Sequence, residues 1–235
     1  RNQLKFFKLV FMRLQKLKFK EVVVLNRDSW NSMPVHDMHV DMNLIRCRKR
    51  LFGEVKDKRV LYIGFGEGAN LLYLIKEGFV CSGTEIAKNR LKIVQEKIKK
   101  INKKVDLRLV DSNFLPFNDN SFDIVLAWQS IYYNNQLGYR EILAEILRVI
   151  KPGGQFLCST LSVKHSLCGE RLSAHEFRPN IASQKNCIIY AFKNHQEIKK
   201  MFRKFKNVRI GYYSFSLFKT VDFHYVIFCQ KPEIL

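Results

Sequence analysis

From residue 59 onward, short β-rich runs alternate with helical stretches, and this alternation constrains the fold more than any other feature. Val60-Leu61-Tyr62-Ile63 reads as a strand, Ala69 to Lys76 as a helix ended near Gly78, Phe79 to Thr84 as a strand, and Lys88 to Ile101 as a Lys-rich helix. Val105 to Val110 and Phe122 to Trp128 read as strands. Tyr139 to Ile150 reads as a helix, Lys151-Pro152-Gly153-Gly154 as its stop and turn, and Gln155 to Thr160 as a strand. Strict alternation of this kind predicts an α/β fold with a mostly parallel sheet and helices on both faces. Right-handed crossovers make such a sheet doubly wound. The alternation lapses through Lys164 to Lys185, then resumes with Cys187 to Phe192 and a helix over His195 to Phe205. Two strands follow, Val208 to Tyr213 and Phe223 to Cys229, with no helix between them, which predicts an antiparallel hairpin at the sheet edge.

Ahead of this region lie two helical stretches. Residues 1–20 place Leu4, Phe7, Val10, Phe11, Leu14 and Leu17 at i, i+3, i+4 spacing among lysines and arginines, the pattern of a basic amphipathic helix. Such a helix packs its apolar face on a domain or lies on a membrane surface as a peripheral contact. Residues 35–52 read as a second helix, ending in the basic run Arg46 to Arg50 and stopped by Gly53. The reading is an N-terminal helical extension over 1–57 and one domain over 58–235, with an insertion at about 161–193. With 47% hydrophobic residues in 235, the chain can bury one good core.

Charge and cysteines bound the partners. A net charge of +20, from 41 Lys+Arg against 21 Asp+Glu, favours nucleic acid, anionic lipid or an acidic substrate, yet no RNA-binding motif accompanies it. Solvated surface lysines explain the same number. None of the six cysteines sits in a C-x-x-C pair, so reduced thiols, a cytoplasmic location and no metal site are expected. No apolar run approaches the ~20 residues of a transmembrane helix.

The first strand runs into Gly64-Phe65-Gly66-Glu67-Gly68-Ala69-Asn70. Glycines there let backbone N–H groups approach a ligand, and the following helix offers it a positive N-terminal end. Glu85 ends the second strand, where an acid can accept ribose hydroxyls. The loop also satisfies the looser dinucleotide fingerprint, so an NAD-dependent oxidoreductase explains Gly64 to Glu85 equally well.

Three further segments separate the readings. Val110-Asp111-Ser112-Asn113-Phe114-Leu115-Pro116-Phe117 closes the third strand, Asn118-Asp119-Asn120-Ser121-Phe122-Asp123-Ile124-Val125 opens the fourth, and Ala144-Glu145-Ile146-Leu147-Arg148-Val149-Ile150-Lys151-Pro152-Gly153-Gly154 precedes the fifth. In this order and spacing the chain closely resembles the class I S-adenosylmethionine (SAM)-dependent methyltransferases, especially those acting on small molecules. The resemblance is strong over roughly 58–160. It implies a Rossmann-like, mostly parallel seven-stranded sheet, SAM as cofactor, an N-terminal segment covering the site and a substrate lid after the fifth strand. It implies a cofactor site of Gly64, Phe65, Gly66, Gly68, Glu85, Ile86, Asp111, Ser112, Asn113 and Trp128, with Gln129 beside the substrate space. Glu85→Ala is expected to weaken SAM binding much more than folding.

One departure stands out. Two residues before the first glycine the family usually has an acid, and this chain has Tyr62. Glu67, Asp37 or Asp41 are the acids that could compensate. A hydroxyl acceptor needs a base within hydrogen-bond reach. The cluster His36, Asp37, His39 and Asp41 supplies candidates; in a helix, Asp37 and Asp41 share a face, as do His36 and His39. Glu170, His165 and His175 in the insertion, and Tyr132 and Tyr133 after the fourth strand, are further candidates near an acceptor. No Asn-Pro-Pro-Tyr or Pro-Cys motif occurs, which lowers nucleobase acceptors. The expected function is methyl transfer to an oxygen or nitrogen of a small molecule or glycan. The alternative from another class is a non-catalytic module that binds nucleic acid or membrane through its basic surface.

Overall fold

The computed structural model describes residues 19–36, 38–110 and 113–233. Two helices, α1 (Phe19–Ser32) and α2 (Met42–Leu51), precede the alternating region. That region runs β1 (Arg59–Ile63), α3 (Ala69–Lys76), β2 (Val80–Glu85), α4 (Lys88–Lys100), β3 (Asp106–Leu109), β4 (Phe122–Ala127), α5 (Gln136–Val149) and β5 (Ile150–Ser162). Then come β6 (Cys168–Arg171), β7 (Glu176–Pro179), a 3₁₀ turn (Ala182–Gln184), β8 (Ile189–Phe192), α6 (His195–Met201), β9 (Lys206–Leu217) and β10 (Thr220–Gln230).

The main sheet is ordered β3-β2-β1-β4-β5-β10-β9. Its first five strands are parallel, β10 is antiparallel to β5, and β9 pairs β10 at the edge. The expected seven-stranded sheet with an edge hairpin is therefore present. The region where the alternation lapses is not a plain loop. It folds β6, β7 and β8 into a small antiparallel sheet, and β8 also joins the end of β5 in parallel.

Burial on both faces follows from strand periodicity. Leu61 and Ile63 of β1 pack in one cluster with Tyr139, Ile142 and Ile146 of α5 and with Phe202, which ends α6. Their neighbours Val60 and Tyr62 point the other way, into a cluster with Leu44 of α2, Leu71 and Leu74 of α3, and Leu91 and Val94 of α4. A period of two sends alternate side chains to opposite faces, so a strand apolar throughout must be covered twice.

Two boundaries differ from the sequence reading. The second helix begins at Met42, Asp41 is extended and residues 38–40 have no regular secondary structure, so the shared-helix-face argument for His36 with His39 does not hold; Asp37 lies outside the described residues. Asp41 is instead the N-cap: its Oδ1 accepts from the backbone N–H groups of Asn43 (2.7 Å) and Leu44 (3.2 Å). The Lys151-Pro152-Gly153-Gly154 turn is absorbed into β5 as a bulge. Phe122 pairs Ile150, but Ile124 pairs Gln155, so the extra β5 residues loop out with Gly153 at φ 71°. Asp123 fixes this corner by accepting from the Arg59 backbone N–H (2.9 Å) and from Lys151 Nζ (2.8 Å). The amphipathic stretch expected over 1–20 lies outside the described residues, apart from the two residues that open α1.

Candidate functional site

The carboxyl ends of β1, β2 and β4 open into a cavity of about 510 Å³, closed over by residues of α1 and the segment before α2. Asn26 ties α1 to the domain from both ends of its amide: Nδ2 donates to Tyr133 O (2.7 Å), and Oδ1 accepts from Ile188 N (3.0 Å). At the other end, the Arg90 guanidinium donates to Trp30 O, sits 4.8 Å over the Trp30 ring, and pairs with Glu67 at 3.1 Å. Arg90 is nearly fully buried, so this pair holds α1, the glycine loop and α4 together.

The glycines of the loop serve different ends. An added Cβ at Gly64 would lie 2.5 Å from Ser130 Cβ, and one at Gly68 2.7 Å from Val94 Cγ2, so both are demanded by packing. Gly66, at φ 55°, has nothing within 4 Å of that position. It faces the cavity with bare backbone, which is what close approach of a ligand needs. Phe65 is buried, its ring against Gly83.

Glu85 ends β2 and is 5% exposed. Its Oε2 accepts from Gly66 N (2.8 Å), and its Oε1 from Ile86 N (2.9 Å) and Ala87 N (3.0 Å). Burial pushes its carboxyl pKa up, against these three bonds and the nearby Arg90. A carboxylate offers about four lone-pair sites, so roughly one, on Oε2, remains for a ligand. Ile86, Val110 and Asn113 continue the wall, whereas Asp111 and Ser112 lie outside the described residues.

Across the cavity, Tyr62 is buried, and its hydroxyl accepts from Asn70 Nδ2 (3.1 Å). Burial first, then the nearby Asp41 and Glu85 charges, drive its phenol pKa far up, so it stays neutral. Asn70 Oδ1 accepts from the Asp41 backbone N–H (2.9 Å). The Asp41 Oδ2 accepts from Trp128 Nε1 (3.0 Å) and Gln129 Nε2 (3.4 Å). Among the described residues no cation pairs with Asp41. The structure therefore brings an uncompensated acid from α2 to the cavity end where β1 supplies a phenol, while Glu67 is occupied by Arg90. Gln129 sits at φ 53°, a left-handed conformation unfavourable for a side chain of its kind, and its Nε2 also donates to Tyr213 Oη (3.0 Å). Tyr213 in turn stacks on Trp128, with ring centroids 6.0 Å apart.

The other candidates divide. His36 and His39 line the cavity rim, exposed, and Asp37 lies outside the described residues. Tyr133 lines the cavity and bonds Gln184 Oε1 (3.0 Å), but Tyr132 stacks beneath it in the core. His165 contacts Asp222 (3.1 Å), His175 contacts Ala191 O (3.2 Å), and Glu170 contacts Arg178 (3.6 Å); none reaches the cavity. The insertion contributes Ser183 and Gln184 instead. Sequence reasoning passed over Trp30, Arg90, Asn70 and Tyr213. Only tertiary contact reveals them, because each lies far along the chain from its partner.

The parallel sheet, the switch from β1 to β4 and the glycine cradle beside a buried acid define a Rossmann-like domain built to hold an adenosine-containing ligand. The methyltransferase-domain family model matches residues 60–154, so this stretch of the chain carries a methyltransferase domain. A methyltransferase domain over this stretch supports SAM rather than NAD as the ligand of the loop. Methyltransferase GfsG of Streptomyces halstedii is 27% identical over 112 residues, covering 46% of this chain and 40% of that protein. The demethylmenaquinone methyltransferase of Listeria welshimeri is 40% identical over 83 residues, covering 35% of this chain and 34% of that protein. The chain thus aligns with well under half the length of these relatives. A SAM-dependent methyltransferase of Methanosarcina mazei shares the fold, with a TM-score of 0.67 at 16% identity, over 84% of this chain and all of that one.

Proposed function

We propose that this protein transfers the methyl group of SAM to an oxygen or nitrogen of a small-molecule acceptor, sugar units included. The observation that carries the reading is one continuous cavity that joins the Gly66–Glu85 cradle to the Asp41–Gln129 end. SAM fits the residues present. Gly66 offers bare backbone, Glu85 keeps one open acceptor site for a ribose hydroxyl, and Asp41, whose four hydrogen bonds fill its acceptor sites, brings a negative charge with no paired cation among the described residues to the end where an ammonium group would lie. When bound, SAM supplies a sulfonium methyl for in-line displacement. The chain's own part is to hold donor and acceptor in line and exclude water. Trp30, Met33 and Tyr133 form apolar walls that do so. His36, His39 and Asp41 stand at the rim, where one of them can take the acceptor's proton.

The acceptor is uncharged or cationic in this reading. Arg90 is the one Lys or Arg among the described residues lining the cavity, and Glu67 and Trp30 occupy it. Among the described residues, therefore, the net charge of +20 supplies no free cation to the cavity for an anionic acceptor group. Calorimetric titration with SAM, S-adenosylhomocysteine and NADH tests the reading. Saturable binding of the first two alone is expected. Binding of NADH alone, or of none of the three, refutes it.

A further inference from the structure

The β9–β10 hairpin ends in an apolar tip that contributes nothing to the core. Phe215 is 61% exposed, Leu217 51% and Phe218 95%. Phe218 and Lys219 form the turn between the paired residues Leu217 and Thr220, and Phe218 takes φ 54°. A left-handed phenylalanine costs on the order of 1 kcal/mol against the Asn or Gly such turns favour. Folding thus gains neither burial nor backbone ease from this residue.

Topology puts the tip at the same sheet edge as the cavity. β10 runs antiparallel to β5, and their last pair toward the carboxyl edge is His224 with Leu161, so the turn projects past the end of β5. Along β9, side-chain alternation places Phe215 and Leu217 on the face that carries Tyr213, the residue bonded to Gln129 in the cavity wall. Exposed Lys219 sits in the turn itself, and exposed Lys164 lies two residues before Ser166, which bonds Val221 beside the turn through its backbone N–H and Oγ. The one acid beside it, Asp222, lies opposite Phe215 and is engaged by His165 at 3.1 Å.

We infer that the Phe215–Phe218 tip is a membrane-interface anchor that seats the cavity mouth of this basic protein on an anionic lipid surface. Shape and charge select that partner. The tip is a convex point rather than a groove, it holds an exposed lysine in its turn, and the chain carries +20. At ~3.3 Å per residue, Phe215 stands roughly 10 Å below the turn, which matches the ~5–10 Å depth that interfacial segments reach. Asp222, opposite Phe215, then stays at headgroup level.

The test is co-sedimentation of the full chain with vesicles of phosphatidylcholine alone or mixed equally with phosphatidylglycerol, with sedimentation velocity on the free protein. Binding to the mixed vesicles is expected, weakened by salt and weaker still on phosphatidylcholine alone. Phe218→Ser should reduce partitioning roughly tenfold, from the apolar area it removes, while the thermal midpoint is unchanged or raised. Leu217→Ser provides a second, independent variant with the same expectation. No vesicle binding, or binding that both variants leave intact, overturns the inference. A dimer that Phe218→Ser dissociates would assign the tip to a second copy and overturn it as well.

Discussion

Replacing Glu85 by Gln tests whether the cradle is built by the same carboxylate that serves the ligand. The parent carboxylate accepts three backbone N–H groups in a site 5% exposed. A glutamine can keep its oxygen on Ile86 and Ala87, but its amide group then faces the Gly66 N–H, donor against donor. One charge-assisted bond is lost and a buried N–H is left without an acceptor, a cost of roughly 2 kcal/mol. Relief of the buried charge, visible in the raised carboxyl pKa, offsets part of this. For a chain of this size ~1 kcal/mol moves the midpoint by about 2–4 °C, so the full cost would lower it by roughly 4–8 °C, and a fall of several degrees, short of that limit, is expected without ligand. The stabilisation given by saturating S-adenosylhomocysteine should shrink in the same experiment, because the one open acceptor site on Oε2 is gone. Thermal unfolding with and without that ligand reads both effects. An unliganded midpoint within a degree of the parent would refute the structural role, and an undiminished ligand shift would refute the binding role. The expectation that Glu85→Ala acts on binding far more than on folding thus needs amending, since the side chain also organises Gly66, Ile86 and Ala87.

Gly66→Ala should lower the unliganded stability by only about 1 kcal/mol, the cost of a left-handed alanine, because its Cβ meets nothing within 4 Å. Calorimetry should nevertheless show S-adenosylhomocysteine binding weakened at least tenfold, and unchanged affinity would move the ligand away from this loop. Gln129→Gly should hold or raise the midpoint, since it relieves φ 53°, yet lower methyl transfer by removing the side chain that links Asp41 to Tyr213; equal activity would deny Gln129 a role. Glu145 accepts from two of the three Arg148 guanidinium nitrogens, Nε (2.8 Å) and Nη2 (2.7 Å). The Arg148 bonds, helped by the Leu115 N–H and opposed by burial, hold its carboxyl below the usual carboxylate range. Its contribution is complete above the unfolded pKa of about 4.3 and is lost as pH falls through the lower folded value. Urea unfolding should therefore show Glu145→Gln less stable than the parent at pH ~6, with the gap narrowing as the pH is lowered below the ordinary carboxylate range; a gap that stays constant across that range would contradict this.

What the sequence determined by itself was periodicity and local chemistry. Val60 to Ile63, apolar at every position, could only be a strand covered on both faces, and the helix over Ala69 to Lys76 is where its period and Gly78 put it. Gly64 to Gly68 and Glu85 were legible because a glycine loop between strand and helix, followed by an acid ending the next strand, is a local pattern. The second helix was drawn too long because residues 35–41 carry nothing local that excludes a helix, while the Asp41 cap that starts it at Met42 is also held through Asn70, Trp128 and Gln129. Lys151 to Gly154 were read as a turn, because proline and glycines mark one locally; Asp123, from the neighbouring strand, holds them in β5. Tyr62 could be seen as a missing acid, but which acid stands nearest could not, since Asp41 lies 21 positions away and reaches the site only when α2 packs on the sheet. Local interactions set the elements; contacts between residues far apart in the chain set which side chains share the cavity, and only the folded chain makes those.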